Sequence, residues 1–552
     1  MHDLRTPSVV LVAVDSPWKD TGGTFYPFSY GVETLRASLR SDPSLADVGV
    51  ALVDLEATQA EAFFDAVMAH RPTLVALSTY IWSLPVYRGL VSQIRRHDPS
   101  IQIVAGGPAA RRSVFDLAPW QGLRDNLDAV VPGEGEGVIR ELARHHREPN
   151  WKAGIAGLEW WTGSDWHRNL PAPRPDIDAY PSPYELGLSP RGMTGYIETF
   201  RGCPIHCAFC QWGEQNADRV HSVDYLVRHL EGLCDAEVYN VYFLDAAFNL
   251  QNRAFRNVVE AERQVGLLKD KTVFGHLYPT YLQESHLEFF DSIGRVHAAV
   301  GIQSFDEEVL KRMGRPFDMR KFHRTLGMMK GRLKVEFELI FGLPGDNPDS
   351  FLRTLDTAIE YGDAIKVFQC LALPDALLER ADAMQIEFDP ETFSVESAMG
   401  WTRADWERTY EKVLRRTEEF EERVQHFDWL GFVCNPDGNA SPDRQQHIRP
   451  IPIPALEIDG LPGAVDAVAK GWSFDGARQD GTRVLFDLHG PKGTVELQVE
   501  RQTPESRFFH ARDGLVYSYR GKVGQTEAPD LLRVIETLHD HARGIVLAEV
   551  ST

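Results

Sequence analysis

Strand-length apolar runs alternate with helical patterns along the first two thirds of the chain, and this alternation limits the fold more than any other feature. Val9–Val14 is followed by a helical pattern around Gly31–Leu39 and then by the apolar run Val50–Leu55. Thr58-Gln-Ala-Glu61 reads as a capping box, after which Ala60, Phe63, Phe64, Val67 and Met68 fall on one helical face. Leu74–Ser78, a helix over Val86–Ile94, Ile101–Ala105 and Ala129–Val131 continue the series. Strands separated by helices form parallel βαβ units with both sheet faces covered. The expectation is an α/β fold that begins, over residues 1–146, with a doubly wound five-stranded parallel sheet. Ligands of such sheets sit beyond the carboxyl ends of the strands. The residues there are Asp15, Ser78, Thr79, Tyr80, Gly106, Gly107, Pro108, Glu134, Gly135 and Glu136. Small and hydroxylated residues at several strand ends suit close approach to a flat or extended ligand. Gly106-Gly107 taken alone is more often a plain strand-to-helix turn, and Glu134 and Glu136 fit the N-terminus of the next helix.

At 552 residues the chain exceeds one ordinary domain. A net charge of −22 speaks against a broad grip on nucleic acid, which needs clustered Lys and Arg facing phosphates. The N-terminus has no apolar stretch behind a basic start, and no run of apolar residues is long enough to span a bilayer. Three of the six Cys lie within eight residues. That clustering points to metal binding in a reducing compartment, not to a disulfide framework, so a cytoplasmic protein with no membrane partner is expected.

The cysteine cluster follows a strand-like segment, Gly195–Phe200, and reads Arg201-Gly-Cys-Pro-Ile-His-Cys-Ala-Phe-Cys210. Cys203, Cys207 and Cys210 are spaced C-x3-C-x2-C with no fourth Cys nearby. A structural zinc site takes four ligands, and His206 sits immediately beside Cys207, where reaching the same ion would be strained. A four-iron cluster held by three thiolates leaves one iron open for an outside ligand. The triplet, with the aromatic Phe209 before its last Cys, resembles the radical S-adenosylmethionine (SAM) superfamily. The resemblance implies a [4Fe-4S] cluster whose open iron is chelated by the methionine part of SAM, with Phe209 beside it. One electron from such a cluster cleaves the sulfonium to a 5′-deoxyadenosyl radical.

Downstream, Val238–Leu244, Val273–Leu277, Ala298–Ile302, Val335–Ile340 and Ala364–Cys370 alternate with helical stretches. With Gly195–Phe200 they make six βα units, the partial (β/α)6 barrel of that superfamily, over residues 191–385. Val300-Gly-Ile-Gln-Ser304 and Ile340-Phe-Gly-Leu-Pro-Gly345 are similar to the family's fourth- and fifth-strand signatures, so Gln303 and Ser304 inherit contacts to the ribose or methionine part. The second also has a plain reading as a tight strand-to-helix connection. Where many members carry Gly-Gly-Glu after the second strand, this chain has Leu244-Asp-Ala-Ala-Phe-Asn249. An Asp-x-x-Phe pattern is frequent there in the cobalamin-binding branch, which makes Asp245 the candidate SAM contact.

An α/β domain directly upstream of the barrel is the layout of that cobalamin-dependent branch, and the resemblance covers roughly residues 7–385. It implies cobalamin at the strand ends of the first sheet. No Asp-x-His-x-x-Gly motif occurs, so a base-off state without a His ligand is expected. The implied activity is methyl transfer from SAM through methylcobalamin to a carbon of a small biosynthetic intermediate, an aromatic amino acid among them, or of a peptide. An electron donor such as a flavodoxin or ferredoxin is implied as partner. A non-methylating rearrangement or cyclisation with the same cofactors stays open, as does a cofactor-binding sensor without turnover. The residues name no catalytic acid or base.

Residues 147–190, rich in Pro and Trp, read as a linker with a small hairpin. Residues 376–424 read as helical, and 386–440 as a helical extension. Residues 441–552 read as a small α+β domain with strands at Ala464–Trp472, Arg483–Leu488, Thr494–Val499 and Leu515–Tyr519 and a helix near Ala528–His539. Cys234 and Cys370 read as buried core thiols, and Cys434 has no evident partner.

Overall fold

The computed structural model describes residues 7–14, 28–55, 60–214, 218–418 and 424–426, then 455–456, 465, 469, 471–480, 483–491, 493–501, 510–512, 515–521 and 531–539. Asp15, Thr58 and Cys434 lie outside the described residues. The chain divides into two compact units, the first holding the described residues up to 426 and the second those from 455 onward.

The first unit opens with the valine-rich strand β1 (Ser8–Val14), joined in parallel by β2 (Gly49–Leu55), β3 (Leu74–Ser78), β4 (Gln102–Gly106) and β5 (Ala129–Val131). Their order is β2-β1-β3-β4-β5, as expected of a doubly wound sheet, with the order reversing between β1 and β3. Alternate residues serve opposite cores. Val10, Val12, Val75 and Leu77 pack with Phe63 and Tyr87 on one face, while Val9, Leu11, Leu74 and Val104 pack with Leu39 and Leu142 on the other. Helices at Tyr30–Arg40, Ala60–Ala69, Leu84–His97 and Glu136–His145 provide those partners.

The sheet does not stop at five strands. Glu159–Trp161 pairs antiparallel with β5, and Trp166–Arg168 pairs with it in turn, giving seven strands. The hairpin read as linker is therefore the edge of the sheet. Glu159 is held there by Arg112 and Arg168, each at 2.5 Å.

The second sheet of this unit follows the expected barrel order. Gly195–Ile197, Asn240–Phe243, Thr272–His276, Arg295–Gln303, Lys334–Phe341 and Ala364–Gln369 pair in parallel one after another. Val424–His426 adds a seventh parallel strand beyond Ala364–Gln369. The intervening helices start at capped ends: the Ser222 hydroxyl accepts from the Tyr225 amide, and Asn347 accepts from the Ser350 amide with Pro348 in the first turn. Along Arg295–Gln303 every second residue (Val296, Ala298, Val300 and Ile302) is buried against the helices. The residues between them are half-exposed toward the inner face.

Two expectations are corrected here. The helical run over 376–424 is broken by an antiparallel pair, Glu387–Phe388 with Val395–Ser397; among its described residues Arg403–Glu418 is α-helical and Leu378–Arg380 is a single 3-10 turn. Phe393, in that segment, is fully buried in a core face of the first sheet. Cys370 is buried but Cys234 is exposed, because it falls outside the buried face set by Tyr225, Leu226, His229, Leu230 and Leu233.

The second unit is an antiparallel sheet of Ser473–Asp480, Arg483–Gly490, Gly493–Arg501, Leu515–Gly521 and two short strands. Its core joins Trp472, Phe486, Leu497 and Tyr517 to Leu531, Val534, Ile535 and Leu538 of the helix at 531–539. The strand expected at Ala464–Trp472 instead begins at Ser473, and Val465, Ala469 and Trp472 are core contacts before it. Among the described residues no helix is long and apolar enough to cross a membrane.

Candidate active site

Gly195–Ile197 ends at the mouth of the barrel, and the chain then enters the cysteine loop through a two-residue pairing of Phe200–Arg201 with Arg219–Val220. Cys203 and Cys207 are 8% and 7% exposed and share a pocket with Ile205, Ala246, Ala247, Tyr278, Phe209 and Cys210. All three cysteines are free thiols. The loop is fastened from outside: the Ala208 amide donates to the Met313 carbonyl at 2.8 Å, and Arg380 donates to the Ala208 carbonyl at 3.2 Å. Arg315 Nη1 stands 3.6 Å from Cys207 Sγ, and its guanidinium lies over the Tyr278 ring at 4.7 Å. Tyr278 donates its hydroxyl to the Pro316 carbonyl at 2.5 Å.

This pocket suits a cluster. Burial pushes the Cys203 thiol up and the Cys210 thiol up to about 11, with the neighbouring sulfurs adding to the effect. A cation that displaces those protons removes the cost of burying thiolates. Among the described residues no three His, Cys, Asp or Glu side chains are gathered as for one bare ion. A multi-iron cluster, in which each thiolate takes its own iron, does not require that convergence. His206 is exposed and its Nδ1 bonds the Gly213 carbonyl at 2.6 Å, away from any shared centre with Cys207.

The three barrel residues expected near SAM differ in situation. Asp245 is 2% exposed, and its carboxylate accepts from the Thr199 amide and hydroxyl, both at 2.7 Å, and from the Phe200 amide at 3.3 Å. It fastens the entry to the cysteine loop. Burial raises its pKa to about 7 against those hydrogen bonds. Gln303 ends its strand at φ 69°, a left-handed conformation that a non-glycine residue rarely adopts, and its buried Oε1 has no hydrogen-bond partner. A left-handed backbone and an unsatisfied buried acceptor at a strand's carboxyl end leave the Gln303 amide oxygen able to accept from a ligand donor. Ser304 is fully buried, and its hydroxyl accepts from the Asp306 amide at 3.1 Å.

At the ligand edge of the first sheet the ends of β3 and β4 touch through backbone. The Thr79 amide donates to the Gly106 carbonyl at 2.6 Å, and the Ala109 amide donates to the Thr79 carbonyl at 2.9 Å. Gly107 sits at φ 103°, and a Cβ there would meet the Thr79 carbonyl oxygen at 2.9 Å. Glycine is thus required by both conformation and space. Tyr80 stacks on Trp82 with centroids 4.3 Å apart. Ser78 closes β3, and Gly135 precedes the helix that Glu136 begins. Glu134 and Glu136 are engaged in ion pairs with Arg201, at 3.2 and 2.6 Å. Arg201 and Arg315 were not singled out from the sequence. Arg201 stands two residues before Cys203, the one local hint available.

Residues 197–358 match the radical SAM superfamily, and residues 28–143 match the B12 binding domain. The chain is 28% identical over 331 residues to the 2-(S-pantetheinyl)-carbapenam-3-carboxylate methyltransferase of Streptantibioticus cattleyicolor, covering 55% of this chain and 48% of that protein. It is 26% identical over 378 residues to the cobalamin-dependent radical SAM methyltransferase TokK of Streptomyces tokunonensis, covering 62% and 53%. The chain thus spans about half the length of these curated relatives. Among solved structures it resembles the radical SAM methyltransferase TsrM from Kitasatospora setae with cobalamin and a [4Fe-4S] cluster bound. The TM-score there is 0.57 at 16% identity, with 76% of this chain and 91% of that chain covered. The chain thus carries a match to the B12 binding domain followed by a match to the radical SAM superfamily, and its relatives include cobalamin-dependent radical SAM methyltransferases.

Proposed function

We propose that this protein is a cobalamin-dependent radical SAM methyltransferase acting on a carbon of a small biosynthetic intermediate or peptide. The observation that carries the reading is the cysteine pocket, with three free thiols and, among the described residues, no His, Cys, Asp or Glu gathered with them as a fourth ligand, set in the same compact unit as a B12-binding sheet. When bound, the cluster supplies an electron for opening the sulfonium of SAM, and cobalamin carries the methyl group. The residues of the chain hold and orient. Cys203, Cys207 and Cys210 ligate the cluster, and Phe209 shields it. The guanidinium of Arg315, beside the Cys207 sulfur, balances negative charge. Gln303 offers its buried Oε1 to a ligand donor. Asp245 keeps the loop entry fixed, and Ser304 supports the same strand end from behind. At the first sheet, Ser78–Tyr80 and Gly106–Pro108 offer backbone to cobalamin, together with the Glu134–Glu136 turn.

An aromatic amino acid is a suitable acceptor. The inner face of the barrel combines Tyr242 and Phe274 with the half-exposed His276, Glu336, Glu338 and Lys366. A structure of TsrM contains tryptophan with a SAM analogue, at a TM-score of 0.55 and 19% identity. The electron donor is a flavodoxin or ferredoxin, and the setting is the cytoplasm.

The test is incubation of anaerobically reconstituted protein with SAM, reductant and tryptophan or related acceptors, followed by mass spectrometry. A product heavier by one CH2, with S-adenosylhomocysteine formed and both lost in Cys207→Ala, is the expected result. An acceptor converted without that gain in mass overturns methyl transfer in favour of rearrangement or cyclisation.

A further inference from the structure

We infer that Arg201 is a positioning residue that couples cobalamin binding to cluster loading, an inference that rests on the function proposed above. Arg201 lies two residues before Cys203, yet two of its three carboxylate partners belong to the B12-binding sheet. It reaches Glu134 Oε2 at 3.2 Å and Glu136 Oε1 at 2.6 Å, both in the turn after β5, and Glu198 Oε1 at 3.0 Å just before the cysteine loop. The side chains of Arg201 and Glu134 are each 19% exposed and that of Glu136 is 7% exposed. Arg219, on the strand paired with Phe200–Arg201, also binds Glu134. At the far end of the loop Gln211, the residue after Cys210, donates its Nε2 to the Pro108 carbonyl at 3.0 Å, in the turn after β4. Both ends of the cysteine loop therefore rest on strand-end turns of the B12-binding sheet.

A surface pair such as Arg191–Glu237, with both side chains about two-thirds exposed, tolerates many geometries. A shielded cluster of two guanidinium groups among three carboxylates, with Arg201 touching all three, does not, because each carboxylate must keep its partner. The conformation that the thiolates adopt round a cluster fixes where Arg201 and Gln211 stand, and these fix the turns after β4 and β5. Coupling of this kind is reciprocal: whatever loading the cluster does for cobalamin affinity, cobalamin does for the cluster.

The test uses the full chain, anaerobic, with hydroxocobalamin as the probe and its dissociation constant measured by absorbance on cluster-free and reconstituted protein. Wild type is expected to bind about tenfold more tightly when the cluster is present. Arg201→Gln, with iron content and circular dichroism unchanged, is expected to lose most of that ratio. Arg201→Lys, which keeps the charge but not the fork, should recover part of it. Equal affinities in the two wild-type forms, or a full ratio in Arg201→Gln, overturn the inference. If Arg201→Gln does not fold, the half-buried Gln211→Ala decides: a reduced ratio supports the coupling and an unchanged one overturns it. Wild type that binds no cobalamin in either form overturns the proposed function itself, whereas tight binding with no ratio overturns the coupling alone.

Discussion

The first compact unit holds two seven-stranded sheets, dominated by parallel pairing, that are buried in different ways. Along β1 nearly every residue is buried, because helices cover both faces. Along Arg295–Gln303 burial alternates, because helices cover the outer face alone and the inner face is left half-exposed. The first sheet can therefore offer a ligand only its strand ends, chiefly backbone around Thr79, Gly106 and Gly107. The barrel offers a lumen of side chains. His276 stands 3.4 Å from Glu338 there, and Lys366 stands 2.8 Å from Glu336. One sheet suits a large ligand lying across its edge, and the other suits a reacting molecule held inside.

Substitutions can break this contrast. Leu11→Ala removes a side chain buried in the two-faced sheet and should cost about 2–5 kcal/mol in denaturant unfolding. Asp245→Asn addresses a buried carboxyl whose folded pKa, about 7, lies above its unfolded value because of desolvation. The stability linked to this carboxyl is fully present below about pH 4 and is lost as the pH rises through about 7. Wild type should therefore lose on the order of 1–3 kcal/mol across that window through this group, and Asp245→Asn should flatten the slope. A wild-type profile with the same slope as the variant would refute that assignment. Gly107→Ala forces a side chain into a left-handed conformation against the Thr79 carbonyl. It should lower stability by about 1–3 kcal/mol and weaken cobalamin binding with little change in iron content. His276→Gln, at a lumen side chain that is 32% exposed, should change stability by less than about 1 kcal/mol while altering turnover. A loss as large as that for Leu11→Ala would mean that the lumen is core.

Much of this was legible in the sequence, for identifiable reasons. Val and Leu runs bounded by helical patterns set both sheets, since period and length suffice to separate buried strands from helices. The cysteine spacing located the barrel mouth. What escaped depends on distant partners. Glu159–Trp161 joins the first sheet because β5 has a free edge and Arg112 meets Glu159, neither visible locally. Val424–His426 has no apolar run and becomes a strand by pairing with Ile365–Val367. Glu134 and Glu136 carry the composition of a helix N-terminus, yet Arg201, more than sixty residues away in the chain, engages both. The left-handed Gln303 gives no sign in sequence at all, because glycine would have been the residue to expect at that conformation.

The central claim is that one chain holds an iron–sulfur cluster on three cysteines and a cobalamin on the neighbouring sheet. Metal analysis of anaerobically reconstituted wild type and Cys207→Ala tests it most directly. The account predicts about four irons and one cobalt per wild-type chain, with iron lost in the variant. Wild type that retains neither metal, or a variant that keeps the full complement of iron, would contradict it.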